Sequence, residues 1–288
     1  MKLFEIEGHK PSLLPEGEWE LVFADEFDGD TLDRTKWDFR LNFWGRPFEG
    51  YTDKGIVLDG KSHIELHRVE KNGYYVSPQL QTGANSFDAP LKSKEIGLKE
   101  GWAASDEIWK LGELSPMKFS HIYGYYECRC KMQKYPEEMW SAFWLQAPGI
   151  GTTYDPTYSG IEVDIMEYPE KNVYSCGNIW GGYGAQFTEE GRVQRVPLAE
   201  TADGFHTFGV LWDEDGYTFY CDGKEISKAS KFVSRVPQFI LLTTEVRGHR
   251  KNTPVKVEGA FVDDAFIVDY VRVFDRKERK DRKEGKVN

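Results

Sequence analysis

Gly160-Ile-Glu-Val-Asp-Ile-Met-Glu-Tyr168 carries three carboxylates, Glu162, Asp164 and Glu167, through an otherwise apolar, β-forming run. On a regular strand residues two apart share a face, so Glu162 and Asp164 point one way and Ile161, Val163 and Ile165 the other. That alternation describes an antiparallel strand with one buried face. Glu167 breaks the parity. A single β-bulge near Ile165–Met166 restores it and sets all three acids along one face. The segment holds no Lys or Arg to neutralise them. Either Glu162 and Asp164 line a solvated face and Glu167 opens a turn, or the crowding serves groups whose shifted pKa values are used.

The rest of the chain reads the same way. Short β-rich runs recur at Trp19–Asp25, His63–Val69, Tyr123–Met132, Trp140–Gln146, Ile161–Tyr168, Thr207–Asp213, Tyr217–Cys221, Phe239–Val246 and Phe266–Phe274. Asp213-Glu-Asp-Gly216 and Asp222-Gly223 are hairpin turns between them. Asp88–Leu114 fits neither strand nor turn and reads as a long surface excursion. No repeat or interior linker divides the chain. The expectation is one all-β domain over residues 1–274, a sandwich of two antiparallel sheets, followed by a charged tail over 275–288.

Composition excludes several functions. Of 288 residues, 40% are hydrophobic and 30% charged, a globular balance. The net charge is −11, although the last fourteen residues hold seven basic and four acidic side chains. The body is therefore more acidic still and repels phosphate backbones, which excludes nucleic acid as a partner. No apolar run approaches the roughly 18 residues of a membrane span. Cys128, Cys130, Cys176 and Cys221 form no CxxC or Cys/His cluster. They read as buried free thiols rather than zinc ligands. Met1–Lys10 lacks the basic flank and apolar core of a secretory leader. The chain as it stands is expected in the cytoplasm, or outside the cell if a leader has been removed.

Paired carboxylates are the equipment of glycoside hydrolysis, one as nucleophile and one as acid and then base. Glu162 and Glu167 lie five positions apart, about 16 Å on an ideal strand, so the pairing depends on the bulge and on the two side chains leaning together. Asp164, between them, would hydrogen-bond to Glu162 and set the two pKa values apart.

Glu162-Val-Asp-Ile-Met-Glu167 resembles the bulged ExDxxE signature of glycoside hydrolase family 16, which contains laminarinases, agarases, porphyranases and carrageenases. Further resemblances follow in order. Leu21-Val-Phe-Ala-Asp-Glu-Phe-Asp-Gly29 with Trp37 is similar to the family's opening motif. Tyr123-Gly-Tyr-Tyr-Glu-Cys-Arg-Cys-Lys131 and Trp140-Ser-Ala-Phe-Trp144 are similar to its central strands, with Ser141 where the family has Pro. Phe205-His-Thr-Phe-Gly-Val-Leu-Trp212, Asp222-Gly-Lys224 and Val268-Asp-Tyr-Val-Arg-Val273 are similar to its later ones. The resemblance implies a concanavalin A-like jelly roll with a substrate cleft on its concave face. It also implies retaining endo-hydrolysis of β-linked glucan or galactan, without a catalytic cofactor. By the same resemblance Glu162 is the nucleophile, Asp164 its helper and Glu167 the acid/base. A lectin-like protein on this fold would have no need of that pair. Plant-type transglycosylases carry the shorter, unbulged motif.

Sugars need flat apolar faces and paired polar groups. Trp140 and Trp144 share strand parity, as core residues or as cleft walls. Asn178-Ile-Trp-Gly-Gly-Tyr-Gly184 follows the acidic strand, with Trp180 as a stacking face and Asn178 where laminarinase-like members often carry His. Leu41-Asn-Phe-Trp-Gly-Arg-Pro47 has a binding-loop composition, making Asn42, Trp44 and Arg46 candidate contacts. Glu245 closes a strand on the acceptor side. His121 and His206 read as structural. Asp269 matches a family position that contributes to a structural calcium and is a candidate ligand. The partner expected is a carbohydrate, the state a monomer. In the cytoplasm the cleft would suit short chains, restricted by the Asp88–Leu114 excursion.

Overall fold

The computed structural model describes residues 1–43, 46–86, 88, 116–181 and 188–277. Among them two large sheets face each other. The first, nine-stranded, runs Val69–Lys71, Tyr74–Gln81, Phe239–Val246, Met139–Gln146, Glu162–Glu170, Val173–Trp180 and Thr188–Pro197, with Asp38–Phe39 and Tyr51–Thr52 added against Tyr74–Gln81. The second, eight-stranded, runs Lys224–Ala229, Gly216–Cys221, His206–Asp213, Gly124–Lys131, Ala265–Arg276, Ile64–His67 and Ile56–Leu58, with Trp19–Asp25 also on Ala265–Arg276. Pairing is antiparallel apart from Tyr51–Thr52, which runs parallel to Ser77-Pro78. The expected two-sheet sandwich is the observed one.

Alternation builds the core. Val163, Ile165, Met166 and Tyr168 from the first sheet meet Tyr126, Cys128, Phe208, Val210, Trp212, Val268, Val271 and Val273 from the second. Each such side chain fully removed from water contributes about 1.5–3 kcal/mol. The four cysteines are free and buried, as expected.

Turn chemistry sets the register of the second sheet. Glu214 and Asp215 join His206–Asp213 to Gly216–Cys221. Asp222 (φ 47°) and Gly223 (φ 74°) make the next turn with two left-handed residues, the geometry that matches strand twist.

The opening motif is structural. The Asp25 carboxylate accepts hydrogen bonds from the Trp37 indole at 2.8 Å and the Phe27 amide at 3.1 Å. Glu26 takes both ends of the Arg272 guanidinium at 2.8 and 2.7 Å. An N-terminal hairpin of Lys2–Phe4 and Ser12–Leu14 lies over the outer face of the second sheet, where Leu14, Trp19, Tyr125 and Phe274 form a smaller apolar cluster. The last strand runs through Arg276, two residues past the sequence-based limit at 274.

Candidate active site

The bulge falls where the acids require it. Against Met139–Gln146, Asp164 pairs with Trp144 and Met166 with Phe143, so Ile165 has no opposite number. On the other side Asp164 pairs with Gly177 and Glu167 with Ser175, so Ile165 and Met166 lie against Cys176 alone. Ile165 and Met166 are both fully buried. The extra residue enters the core, and Glu167 returns to the face of Glu162 and Asp164.

Cross-strand pairing lays that face out in rungs. Gln146, Glu162, Ile179 and Glu189 form one. Trp144, Asp164 and Gly177 form the next, then Ala142, Glu167 and Ser175, with Trp140 and Glu245 beyond. Glu162 and Glu167 are thus opposite Gln146 and Ala142, four positions apart, about 13 Å between backbones. Two glutamate side chains are long enough to span much of that gap if they lean toward each other. Gln146 donates to Glu162 at 3.1 Å and takes a hydrogen bond from Asn85. Trp144 donates its indole N–H to Thr243 at 3.0 Å, which fixes its ring beside Asp164. The small Ala142 leaves space next to Glu167.

The missing counter-charge comes from two strands away. The Arg192 Nη1 lies 2.7 Å from Asp164 Oδ2, its Nη2 lies 2.5 Å from Glu167 Oε2, and its Nε lies 3.6 Å from Glu189. Burial still dominates. It pushes the Asp164 carboxyl well above the usual range, with the Glu167 and Glu162 charges adding and Arg192 opposing. Burial also raises Glu167, against Arg192 and a hydrogen bond from Asp164. The acids therefore titrate together rather than one by one.

That direction fixes a stability prediction. An acid whose folded pKa lies above its unfolded value of about 3.9 costs nothing below that pH and its full penalty above the folded value. Asp164→Asn abolishes this one group's penalty. The melting temperature of the variant minus that of the wild type is expected to rise steadily from pH 4 to pH 8. A gap that is flat in pH would show that Asp164 is not held protonated.

The other sequence candidates divide. Trp140 and Trp144 share the acids' face, each half-buried. The Arg247 guanidinium sits over the Trp140 ring at 5.3 Å and donates to the Pro169 carbonyl at 2.8 Å. Glu245 lies beside Trp140, accepts from the Tyr51 hydroxyl at 3.2 Å and pairs with Arg250. Burial and the Glu245 charge push that phenol up to about 12. Asn42 is half-buried in a two-residue ladder with Pro47. Its neighbour Phe43 lies under Arg250 at 4.7 Å, which places this loop at the Glu245 end. Trp44, the Arg46 side chain and most of the Asp88–Leu114 excursion lie outside the described residues. Asp88 itself is buried against Arg40, whose guanidinium lies over the Trp144 ring at 5.6 Å.

Asn178 and Trp180 are not brought to the acids. Asn178 pairs with the core residue Val163 and is 1% exposed, so it points between the sheets. Trp180 has the same parity, packs on the core and stacks on Phe232 with centroids 4.1 Å apart. Ile179 occupies the outward position instead. Parity counted from the bulged strand settles this, and parity was readable only once the register was known.

Asp269 is buried on the second sheet in an ion pair with Arg129, with His63 Nε2 at 3.9 Å. Calcium takes six to eight oxygen ligands. One carboxylate already neutralised by a guanidinium does not fit that ion. His206, Cys221 and Asp222 do converge, but His206 Nδ1 bonds Asp222 at 2.8 Å and the other Asp222 oxygen accepts from the Thr207 amide, which orders the hairpin.

A two-sheet sandwich with a bulged acidic strand on its open face is the frame of a known class of carbohydrate-active proteins. The sequence profile of glycosyl hydrolases family 16 matches residues 81–243, and the chain belongs to that family. It is 26% identical over 213 residues to glucan endo-1,3-beta-glucosidase A1 of Niallia circulans, covering 73% of this chain and 29% of that protein. It is 26% identical over 264 residues to endo-1,3-1,4-beta-glycanase EglC of Rhizobium meliloti, covering 88% and 51%. Beta-porphyranase B of Zobellia galactanivorans is 25% identical over 236 residues, covering 75% and 70%. The chain thus spans about half or less of the length of the first two of these relatives. The catalytic domain of an endo-1,3-beta-glucanase (laminarinase) from Thermotoga petrophila has the same fold, with TM-score 0.63 and 23% identity over 91% of this chain and all of that one. Among the described residues no helix is long and apolar enough to cross a membrane.

Proposed function

We propose that the protein is a retaining endo-β-glycosidase acting on β-linked hexopyranose chains, either β-1,3- or mixed β-1,3/1,4-glucan or a β-galactan of the agar and porphyran type. The observation that carries this is the bulge, which puts Glu162 and Glu167 on one face two rungs apart with Asp164 between. Glu162 attacks the anomeric carbon as its carboxylate, held by Gln146. Glu167, whose carboxyl burial pushes upward, gives its proton to the departing oxygen and then takes one from water. Asp164 orients the pair. Trp140 and Trp144 supply flat faces along the same rungs. A separation near 5–5.5 Å between the two carboxyl groups suits double displacement, whereas inversion needs about 6.5–9.5 Å. The bulge shortens the backbone span in the direction of the smaller value.

The test is reducing-end release from laminarin, lichenan, agarose, porphyran, carrageenan and galactan oligosaccharides, with the product anomer followed by proton NMR. Cleavage of one substrate with β product forming first is expected. An α anomer forming first would replace the retaining mechanism by inversion. Binding of one glycan without cleavage of any would overturn the enzymatic reading in favour of a lectin.

A further inference from the structure

We propose that Arg192 is a positioning residue for the acid pair, reaching across Gly177 to hold Asp164 and Glu167 in one orientation and to favour the carboxylate form of Glu167. The inference rests on the reading of Glu162 and Glu167 as the reacting pair. Its geometry is independent of that reading.

Arg192 lies on Thr188–Pro197, and Val173–Trp180 intervenes before the acidic strand. Neighbouring strands are about 4.8 Å apart, so roughly 10 Å separates the backbones of Arg192 and Asp164. A side chain on the middle strand would stand in the way. Gly177 is the residue opposite Asp164 there, and it has none. A Cβ on Gly177 would sit 2.6 Å from Arg192 Cα and 3.0 Å from Arg192 Cδ, and its φ of 145° disfavours any other residue. The edge strand is bulged at the same level. Cys176 pairs with Val193 and Asn178 with Glu190, so Gly177 alone lies against Gly191 and Arg192. Two bulges and a glycine in register thus bring one guanidinium to the acids.

The group is suited to its place. It is planar, so Nη1 and Nη2 serve Asp164 and Glu167 at once, while Nε faces Glu189. Its side chain is 17% exposed, so its charge is poorly screened. The ionisable neighbours are Asp164 and Glu162 on the acidic strand, Glu189 on its own strand, and Cys176 on the middle strand, whose thiol burial pushes up to about 12. The outward residues of Met139–Gln146 are Trp140, Ala142, Trp144 and Gln146, none of them ionisable. Buried alone, Glu167 would keep its proton. A general acid must release it to the leaving group, and the guanidinium stabilises the carboxylate that release creates.

The experiment is a carboxyl titration by carbon-13 NMR of the full, ligand-free chain, comparing wild type, Arg192→Met and Arg192→Lys. In Arg192→Met the Asp164 and Glu167 midpoints are expected to rise by about one to three pH units, and Lys should recover part of the shift. On a cleaved substrate, the alkaline limb of kcat/KM should move upward in the same order, because the protonated acid persists to higher pH. Arg192→Lys keeps the charge and guards against a variant that fails to fold. Unmoved midpoints in folded Arg192→Met, or an activity loss with no displacement of the limb, would overturn the proposal. If the wild type cleaves nothing, the titration still decides the role of Arg192, and only the glycosidase reading falls.

Discussion

Glu167→Ala is expected to lose about 10²–10⁴-fold in kcat/KM on a polysaccharide, and Glu162→Ala more, because without the attacking carboxylate no glycosyl-enzyme ester forms at all, whereas without Glu167 the first step only lacks proton transfer. Loss of activity alone would not separate the roles, but added azide does. With Glu162 shortened, azide enters the space its carboxylate left and attacks the anomeric carbon from the α face. Glu167 still protonates the leaving oxygen, and the product is an α-glycosyl azide. With Glu167 shortened, an aryl glycoside whose phenolate needs no proton still forms the ester to Glu162. Azide then displaces Glu162 from the β face and gives a β-glycosyl azide. On the polysaccharide, whose leaving group does need a proton, azide should restore nothing in this second variant. Exchanged azide anomers would exchange the two assignments. An α product from both variants would remove the covalent intermediate.

The acidic strand was legible because its signal is local. Period-two alternation fixes which residues enter the core, and one misplaced acid reveals a bulge without any knowledge of neighbours. Strands with aromatic or β-branched alternation, such as Phe239–Val246, read out with the right limits for the same reason. Thr188–Pro197 did not. Thr-Glu-Glu-Gly-Arg-Val-Gln-Arg-Val-Pro has four charges, a glycine and few apolar positions, because it lies at one end of the sheet and is half-exposed along its length. Arg192 sits on it. The residue that neutralises the acids therefore belonged to the strand with the weakest strand signal, and its partnership depends on a non-local register. The only local trace was Gly177, a glycine inside a strand, which often marks a bulge or a close approach of another chain segment. Asn178 and Trp180 were misplaced by the same cause. Without the pairing of Gly177 to Asp164, nothing in the segment says which of its residues point outward.

The largest loss of stability is expected far from the acids, at Arg272. Its side chain is fully buried on the outer face of the second sheet. It donates twice to Glu26 at 2.8 and 2.7 Å, to the Lys10 carbonyl and the Ser12 hydroxyl at 2.9 Å each, and lies 3.6 Å over the Tyr270 ring. One guanidinium thus joins the last strand to the N-terminal hairpin and to the opening motif. Arg272→Met leaves Glu26, at 12% side-chain exposure, with the His9 ring at 3.6 Å in place of a guanidinium hydrogen-bonded at both ends. Removing one partner of such a pair costs about 3–5 kcal/mol, and a domain of this size loses about 2–4 °C in Tm per kcal/mol, so a fall of roughly 6–20 °C is expected. Adding Glu26→Gln should recover much of it, because an uncharged pair leaves no stranded ion. The loss should also deepen with pH. Glu127, buried beside Tyr270, is already raised by burial, and Arg272 is among the groups that hold it down. Without that charge its folded pKa rises further above the unfolded value of about 4.3, so the penalty grows as pH climbs through the gap. Measured at a temperature where both proteins are folded, kcat/KM should not follow Tm, since the two faces share only the core between the sheets. An equal fall in kcat/KM at that temperature would show that the hairpin and the acidic face are coupled through the sandwich.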